Sequence, residues 1–169
     1  MTRKLYLDDL HVGQRLRSKS VTVSAQDIIA FARQNDPQFF HVDEEAAKAS
    51  MFGGLVASGW QTGALSIKLL IESADPPLAG PVIGVEADIA WKLPVRPGDS
   101  LRVEAEVMRI VCPRRHADRG FVSMNVTTCN QRDDVVLTQN VKVLAFRDPS
   151  RAGASSNRET PVPGSTPVI

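Results

Sequence analysis

Two residues of the chain, Asp36 and His41, have side chains suited to general acid–base chemistry. They lie five positions apart in the segment Asp36-Pro37-Gln38-Phe39-Phe40-His41. A neutral imidazole can accept a proton near pH 7, and a nearby carboxylate can orient the ring and set its tautomer. Such assistance contributes roughly 10²–10⁴-fold to a rate. The pair alone favours a structural role, because many Asp-Pro turns are structural and a single histidine is more often packed than catalytic.

A second candidate is the run of small residues that leads into a long predicted helix, Gly53-Gly54-Leu55-Val56-Ala57-Ser58-Gly59. The first amides of a helix lack intrahelical partners and carry a partial positive charge. If a ligand carbonyl approached Gly59, its amide could stabilise a developing oxyanion, an interaction worth about 2.7–4 kcal/mol. Equally, Gly59 could only permit close packing of the helix on a sheet, and Ser58 could only cap the helix.

Three helices are predicted before the long strands. Ser24 and Asp27 are spaced like a capping box, which predicts a helix over about 24–34. Asp43 is placed to cap a second short helix over 44–50, and the segment between the two helices is predicted to be a turn. The segment 58–73 is apolar around most of its girth, so we expect a buried helix, with Trp60 in the core.

The remaining elements have the composition of strands. One predicted strand, residues 14–23, precedes the helices. Four more follow the helices: three are over 82–91, 121–128 and 135–146, and in the fourth Leu101, Val103, Ala105 and Val107 alternate with charged residues. The expected fold class is therefore α+β, with an antiparallel sheet packed against one long helix.

Composition excludes several classes of protein. The chain has 169 residues and a net charge of +1, without the clustered positive charge of a nucleic-acid or membrane-surface binder. No apolar run approaches the ~18 residues of a membrane span, and the start of the chain does not resemble a secretory signal, so a cytoplasmic location is expected. The two cysteines match no metal motif, and we expect no metal and no cofactor. We predict a folded domain at 8–147 and a flexible Pro/Ser-rich tail at 148–169.

Taken together, these segments resemble the MaoC-like dehydratase family, which includes the (R)-specific enoyl-CoA hydratases and has the hot-dog fold. Residues 36–47 resemble the family's hydratase motif, an Asp followed five residues later by a His. Residues 52–59 resemble its approach to the central helix, and residues 91–99 resemble the strand and turn that follow that helix. The resemblance covers about 8–147.

The resemblance implies a function. Asp36 and His41 match the family's catalytic dyad, which activates the water that adds across the double bond of an enoyl thioester to give an (R)-3-hydroxyacyl product. Gly59 matches the amide that binds the thioester carbonyl, and Ser58 and Gln38 are further substrate-binding candidates. The implied partners are an acyl-CoA thioester and a second copy of the chain, in a homodimer or higher homo-oligomer.

The sequence also departs from the family pattern. Phe39 stands where the motif often has Pro, and Ser58-Gly59-Trp60 replaces a frequent His-Gly-Met. Two alternative functions remain open. An acyl-CoA thioesterase of this fold often has an acidic residue on or near the central helix, where this chain offers only Glu72 near the far end. A non-catalytic acyl-CoA-binding or partner subunit would need neither Asp36 nor His41.

Overall fold

Alternation of apolar and polar side chains builds the sheet of this protein. In the computed structural model, which describes residues 3–151, strand β4 (Ser100–Val111) buries Leu101, Val103, Ala105 and Val107 while Arg102 points to solvent. The other strands are β1 (Arg15–Arg17), β2 (Val21–Thr22), β3 (Val82–Trp91), β5 (Arg119–Cys129) and β6 (Val135–Phe146). All pairings between these strands are antiparallel, in the order β1-β4-β5-β6-β3, and β2 also pairs with β4. The predicted α+β class is confirmed.

The helices begin where the sequence offers caps. Helix α1 (Ala25–Asn35) is capped by Ser24 and closed by the reciprocal bond from Asp27, as the capping box predicts. Asp43 accepts two backbone hydrogen bonds at the start of α3 (Glu44–Ala47). Between them lies a helix that sequence analysis missed, α2 (Phe39–Val42). A helix of one turn is too short to produce a detectable periodicity, so the segment was expected to be a turn.

The long helix α4 (Gly59–Ser73) is oriented differently from the prediction. Its buried face consists largely of small and polar residues: Gln61, Thr62, Gly63, Ser66 and Leu69. The hydroxyl of Ser66 lies 2.7 Å from that of Thr128 on β5, which satisfies both groups inside the fold. Three large apolar residues of α4, Trp60, Ile67 and Ile71, are on the opposite face.

That outward face corrects the expectation that α4 is buried all round. Trp60, Ile67 and Ile71 are 60%, 60% and 54% exposed, and they fall at helical positions that share one side. The interpretation of Trp60 as a core residue is therefore wrong. A single sheet can cover only one side of a helix, so the second apolar stripe has no partner within the described residues.

Two apolar clusters hold the layers together. One cluster lies under the C-terminal half of α4 and includes Leu16, Leu69, Val107 and Val122. The other lies under the short helices and the start of α4, and includes Ile28, Ala47, Leu101 and Leu137. The second cluster fixes α1, α2 and the N-terminal end of α4 relative to one another, which is what a site built from these three elements requires.

Beyond Arg151, the predicted tail at 148–169 lies outside the described residues. Among residues 3–151, no helix combines the length and the apolar character needed to cross a membrane.

Candidate active site

The carboxylate of Asp36 lies at the end of α1. The backbone amide of Asp36 donates the last hydrogen bond of that helix, to the carbonyl of Ala32 at 2.8 Å. The next residue is Pro37, and a residue before proline is disfavoured in the helical conformation. The helix therefore ends at Asp36, and this termination places the side chain beside the start of α4.

His41 lies on α2 and is almost fully buried, at 5% exposure. Its Nδ1 is 2.7 Å from the carbonyl oxygen of Val56. Because a carbonyl can only accept, Nδ1 must carry a proton, and the neutral ring then has its lone pair on Nε2. That Nε2 lies 3.4 Å from Oδ2 of Asp36. The segment that contains His41 was expected to be a turn, and it is instead a helix that buries the imidazole ring.

The carboxylate of Asp36 is held by two side-chain donors. The hydroxyl of Ser58 donates to Oδ2 at 2.7 Å, and the amide of Gln38 donates to Oδ1 at 2.9 Å. These two hydrogen bonds, and then the proximity of His41, lower the pKa of Asp36 against the opposing effect of partial burial. Asp36 is therefore a carboxylate at neutral pH.

Ser58 connects this carboxylate to the long helix. Its side chain is fully buried and also accepts the amide of Trp60 at 3.3 Å, so it is the N-cap of α4. Ser58 lies behind Asp36, and it is not among the residues that line the neighbouring cleft. Its predicted contact with substrate stays a prediction, and the observed contact is with the dyad.

A cleft of about 470 Å³ opens beside the dyad. Asp36, Gln38 and His41 line it, and so does Gly59, the first residue of α4. The other walls are largely apolar and include both tryptophans of the chain. Mostly apolar walls with a few converging polar groups are typical of small-molecule sites.

Gly59 has no space for a side chain. A Cβ at this position would lie 2.5 Å from Nε1 and 2.8 Å from Cε2 of Trp91, because the indole packs directly on the glycine backbone. Close packing is therefore one reason for a glycine here. The amide of Gly59 has no intrahelical acceptor as the first residue of α4, and none of the hydrogen bonds found among residues 3–151 uses it.

The geometry of Asp36 and His41 favours a bound water. In the neutral state, Nε2 of His41 and Oδ2 of Asp36 are both acceptors, and 3.4 Å is too long for a good direct hydrogen bond. A water in reach of both could donate one hydrogen to each. Such a water is polarised for nucleophilic attack and has a base beside it.

Four of the residues predicted from the sequence converge on one cleft: Asp36, Gln38, His41 and Gly59. The contributions of Val56, whose carbonyl sets the tautomer of His41, and of Trp91, which covers Gly59, were not predicted. A backbone carbonyl leaves no signal in side-chain identity. Trp91 belongs to a segment quoted for the family resemblance, but only the fold shows what its ring touches.

An antiparallel sheet around one long helix defines a hot-dog fold, as similar solved structures confirm. A MaoC-like dehydratase from Rhodospirillum rubrum is 47% identical and superimposes with a TM-score of 0.81, covering 86% of this chain and 99% of that one. The R-hydratase PhaJ1 from Pseudomonas aeruginosa is 25% identical with a TM-score of 0.68, covering 86% of this chain and 88% of that one.

The chain belongs to the MaoC-like dehydratase family, since residues 9–136 match the family model described as "MaoC like domain". Among curated relatives, YdeM of Bacillus subtilis (strain 168), an uncharacterized protein, is 38% identical over 144 residues, which cover 83% of this chain and 99% of YdeM. A 3-hydroxybutyryl-CoA dehydratase of Methylorubrum extorquens (strain ATCC 14718 / DSM 1338 / JCM 2805 / NCIMB 9133 / AM1) is 31% identical over 137 residues, which cover 80% of each chain. Membership of this family supports a hydration or dehydration reaction on an acyl-CoA.

Proposed function

We propose that this protein catalyses the reversible hydration of an enoyl-CoA to a 3-hydroxyacyl-CoA, with Asp36 and His41 as the catalytic dyad. The observation that carries the proposal is the pair of acceptors 3.4 Å apart at the wall of the cleft, each fixed by other parts of the fold. Val56 holds the ring of His41, and Ser58 and Gln38 hold the carboxylate of Asp36. The named activities of the dehydratase and R-hydratase relatives support the proposed reaction.

Addition of water requires a base, and the dyad supplies it. In the proposed step, water bound between Asp36 and His41 gives a proton to Nε2 of His41 while its oxygen bonds to the β-carbon. The carboxylate of Asp36 then stabilises the imidazolium that forms. The electrons of the double bond move through the α-carbon onto the thioester oxygen. Transfer of this proton from Nε2 of His41 to the α-carbon completes the addition. The same steps in reverse order are dehydration.

The thioester oxygen carries negative charge during this step, so it needs a donor. We propose the amide of Gly59, which lines the same cleft and begins α4. The partial positive charge at the start of the helix adds to the effect. One such donor contributes about 2.7–4 kcal/mol at a transition state.

We also propose that the active form is at least a homodimer. Strand β3 ends the sheet, and its Ile83 and Val85 are about half exposed. Val85 lines the same groove as Ile67 and Ile71 of the exposed apolar stripe of α4. An apolar edge strand and a large apolar patch are both typical of interaction surfaces. A second copy paired along β3 would cover both features at once.

Neither alternative function gains support from the site. Glu72, the acidic residue considered for a thioesterase, is exposed on α4 and is not among the residues lining the cleft. A purely binding subunit has no use for a buried histidine whose Nε2 lone pair points toward a carboxylate.

The proposal is tested by hydration of crotonyl-CoA, followed as loss of enoyl absorbance. Asp36→Asn and His41→Gln preserve approximate shape, and each should lower kcat by at least about 100-fold, the scale of general acid–base catalysis. His116→Ala, which removes an exposed histidine outside the cleft, is the matched control and should keep the wild-type rate. Circular dichroism checks that each variant is folded. Wild-type rates in both dyad variants would refute the assignment.

A further inference from the structure

Two cavities of this protein meet at one side chain, the indole of Trp60. The first is the cleft of about 470 Å³ that contains Asp36 and His41. The second, about 590 Å³, is an apolar groove between α4 and the sheet, with Ile67, Ile71 and Ile89 among its walls. Among the described residues, Trp60 alone lines both cavities. Trp60 therefore lies at the boundary between the two cavities.

Trp60 is held in this position by its neighbour across the cleft. The rings of Trp60 and Trp91 meet edge to face, with centroids 5.3 Å apart and planes at 80°. Trp91 in turn rests on the backbone of Gly59. Edge-to-face packing of this kind is a preferred aromatic geometry. Contacts with Trp91 and, through it, with Gly59 therefore fix the position of the Trp60 ring, although Trp60 is 60% exposed and Trp91 is 47% exposed.

The direction of α4 leads from the cleft into the groove. Gly59, the proposed binding site of the thioester carbonyl, is followed at once by Trp60, and then Gly63, Ala64 and Ile67 line the groove on successive turns. Gly63 and Ala64 leave open space immediately beyond the indole. A hydrocarbon chain that extended from the reacting carbons along α4 would meet Trp60 before it reached this apolar space.

From these contacts we infer that Trp60 is a specificity-determining residue that limits the acyl chain to short lengths by closing the cleft toward the groove. This inference rests on the proposed function and specifies its substrate class, short-chain enoyl thioesters. A pocket that lacks room for one methylene typically discriminates by about 10–200-fold. Removal of the indole should join the two cavities and admit longer chains.

The experiment compares kcat/KM for 2-enoyl-CoAs of four and eight carbons in the wild type and in Trp60→Ala. The wild type should prefer four carbons by at least about 10-fold, and the variant should raise the ratio of eight-carbon to four-carbon activity by at least about 10-fold. Met51→Ala removes an exposed apolar side chain that lines neither cavity, so its ratio should match the wild type. If Trp60→Ala does not fold, Trp60→Leu is measured in the same way.

Two results overturn the inference while leaving the proposed function intact. One is a wild type that hydrates both chains equally well, and the other is an unchanged ratio in the Trp60 variant. If the wild type hydrates neither substrate, the proposed function fails instead. In that case, the role of Trp60 in limiting chain length is tested separately by measuring the binding of saturated butanoyl-CoA and octanoyl-CoA with calorimetry. A wild-type preference for the shorter ligand that disappears in Trp60→Ala supports it, and equal binding of both by the wild type overturns it.

Discussion

The hydroxyl of Ser58 lies 2.7 Å from Oδ2 of Asp36 and, through its lone pairs, also caps the first turn of α4. One buried side chain thus joins the end of α1 to the beginning of the long helix. The hydrogen it donates helps to keep Asp36 ionised, and the hydrogen bond it accepts sets where α4 begins. The position of the proposed carbonyl-binding amide, Gly59, follows directly from this contact.

Replacement of Ser58 should affect both stability and activity. In Ser58→Ala, the loss of the cap should cost about 0.5–2 kcal/mol in the free energy of unfolding, and the loss of the donor to Asp36 should lower kcat. Ser24→Ala is the matched control, because Ser24 also caps a helix but its side chain bonds to Asp27 and not to Asp36. Urea unfolding should show a similar loss in both variants. Equal hydratase activity in the two would contradict the role given to Ser58.

The lowered pKa of Asp36 predicts a pH dependence with a defined sign. The pKa of Asp36 is lower in the folded protein than the unfolded value of about 3.9. Its stabilising contribution is therefore fully present above about pH 5 and is lost as pH falls through the folded pKa. The difference in free energy of unfolding between wild type and Ser58→Ala should be larger at pH 7 than near pH 2.

The same pair of pH values can isolate the contribution of this carboxylate. In an Asp36→Asn background there is no charge to stabilise, so the effect of Ser58→Ala on the free energy of unfolding should become independent of pH. A pH dependence of equal size in that background would show that other groups produce it.

Gly59 and Gly63 should respond oppositely to the same substitution. In Gly59→Ala the new Cβ would meet the indole of Trp91 at 2.5–2.9 Å, which should destabilise the fold by about 1–3 kcal/mol and reduce activity. In Gly63→Ala the nearest atom is Nε2 of Gln139, at 3.9 Å, so better helix propensity should add up to about 1 kcal/mol. In thermal unfolding, the midpoint temperature should fall in Gly59→Ala and rise in Gly63→Ala.

A double-mutant cycle checks the cause of that difference. If the contact with Trp91 is responsible, Gly59→Ala should cost much less in a Trp91→Ala background than in the wild type. An equal cost in both backgrounds would mean that the backbone of Gly59, rather than the indole, sets the penalty.

The proposed dimer should be sensitive to charge on β3. Ile83 is 49% exposed on the edge strand, so Ile83→Asp should place a charge in the interface and shift the mass measured by light scattering toward the monomer. Val12→Asp is the control, since Val12 is 63% exposed outside this face. A wild type that is monomeric at all concentrations tested would refute the dimer.

Much of the architecture could be predicted from the sequence because the signals are local. Strands β3 and β6 have the predicted bounds, and the capping box of Ser24 and Asp27 forms as expected. The spacing of Asp36 and His41, the family resemblance and the α+β class also require only the order of residues along the chain. Local rules of this kind describe contacts between near neighbours in sequence.

Tertiary structure decided which face of α4 is buried and what holds the dyad. Hydrophobicity alone suggested a core position for Trp60, but the sheet covers the small and polar face of the helix and leaves the indole at the edge of the cleft. The contacts of His41 with Val56 and of Ser58 with Asp36 span 15 and 22 residues. Such contacts exist only after α1, α2 and α4 have packed together, because no periodicity or spacing in the sequence encodes which backbone carbonyl a buried ring will meet.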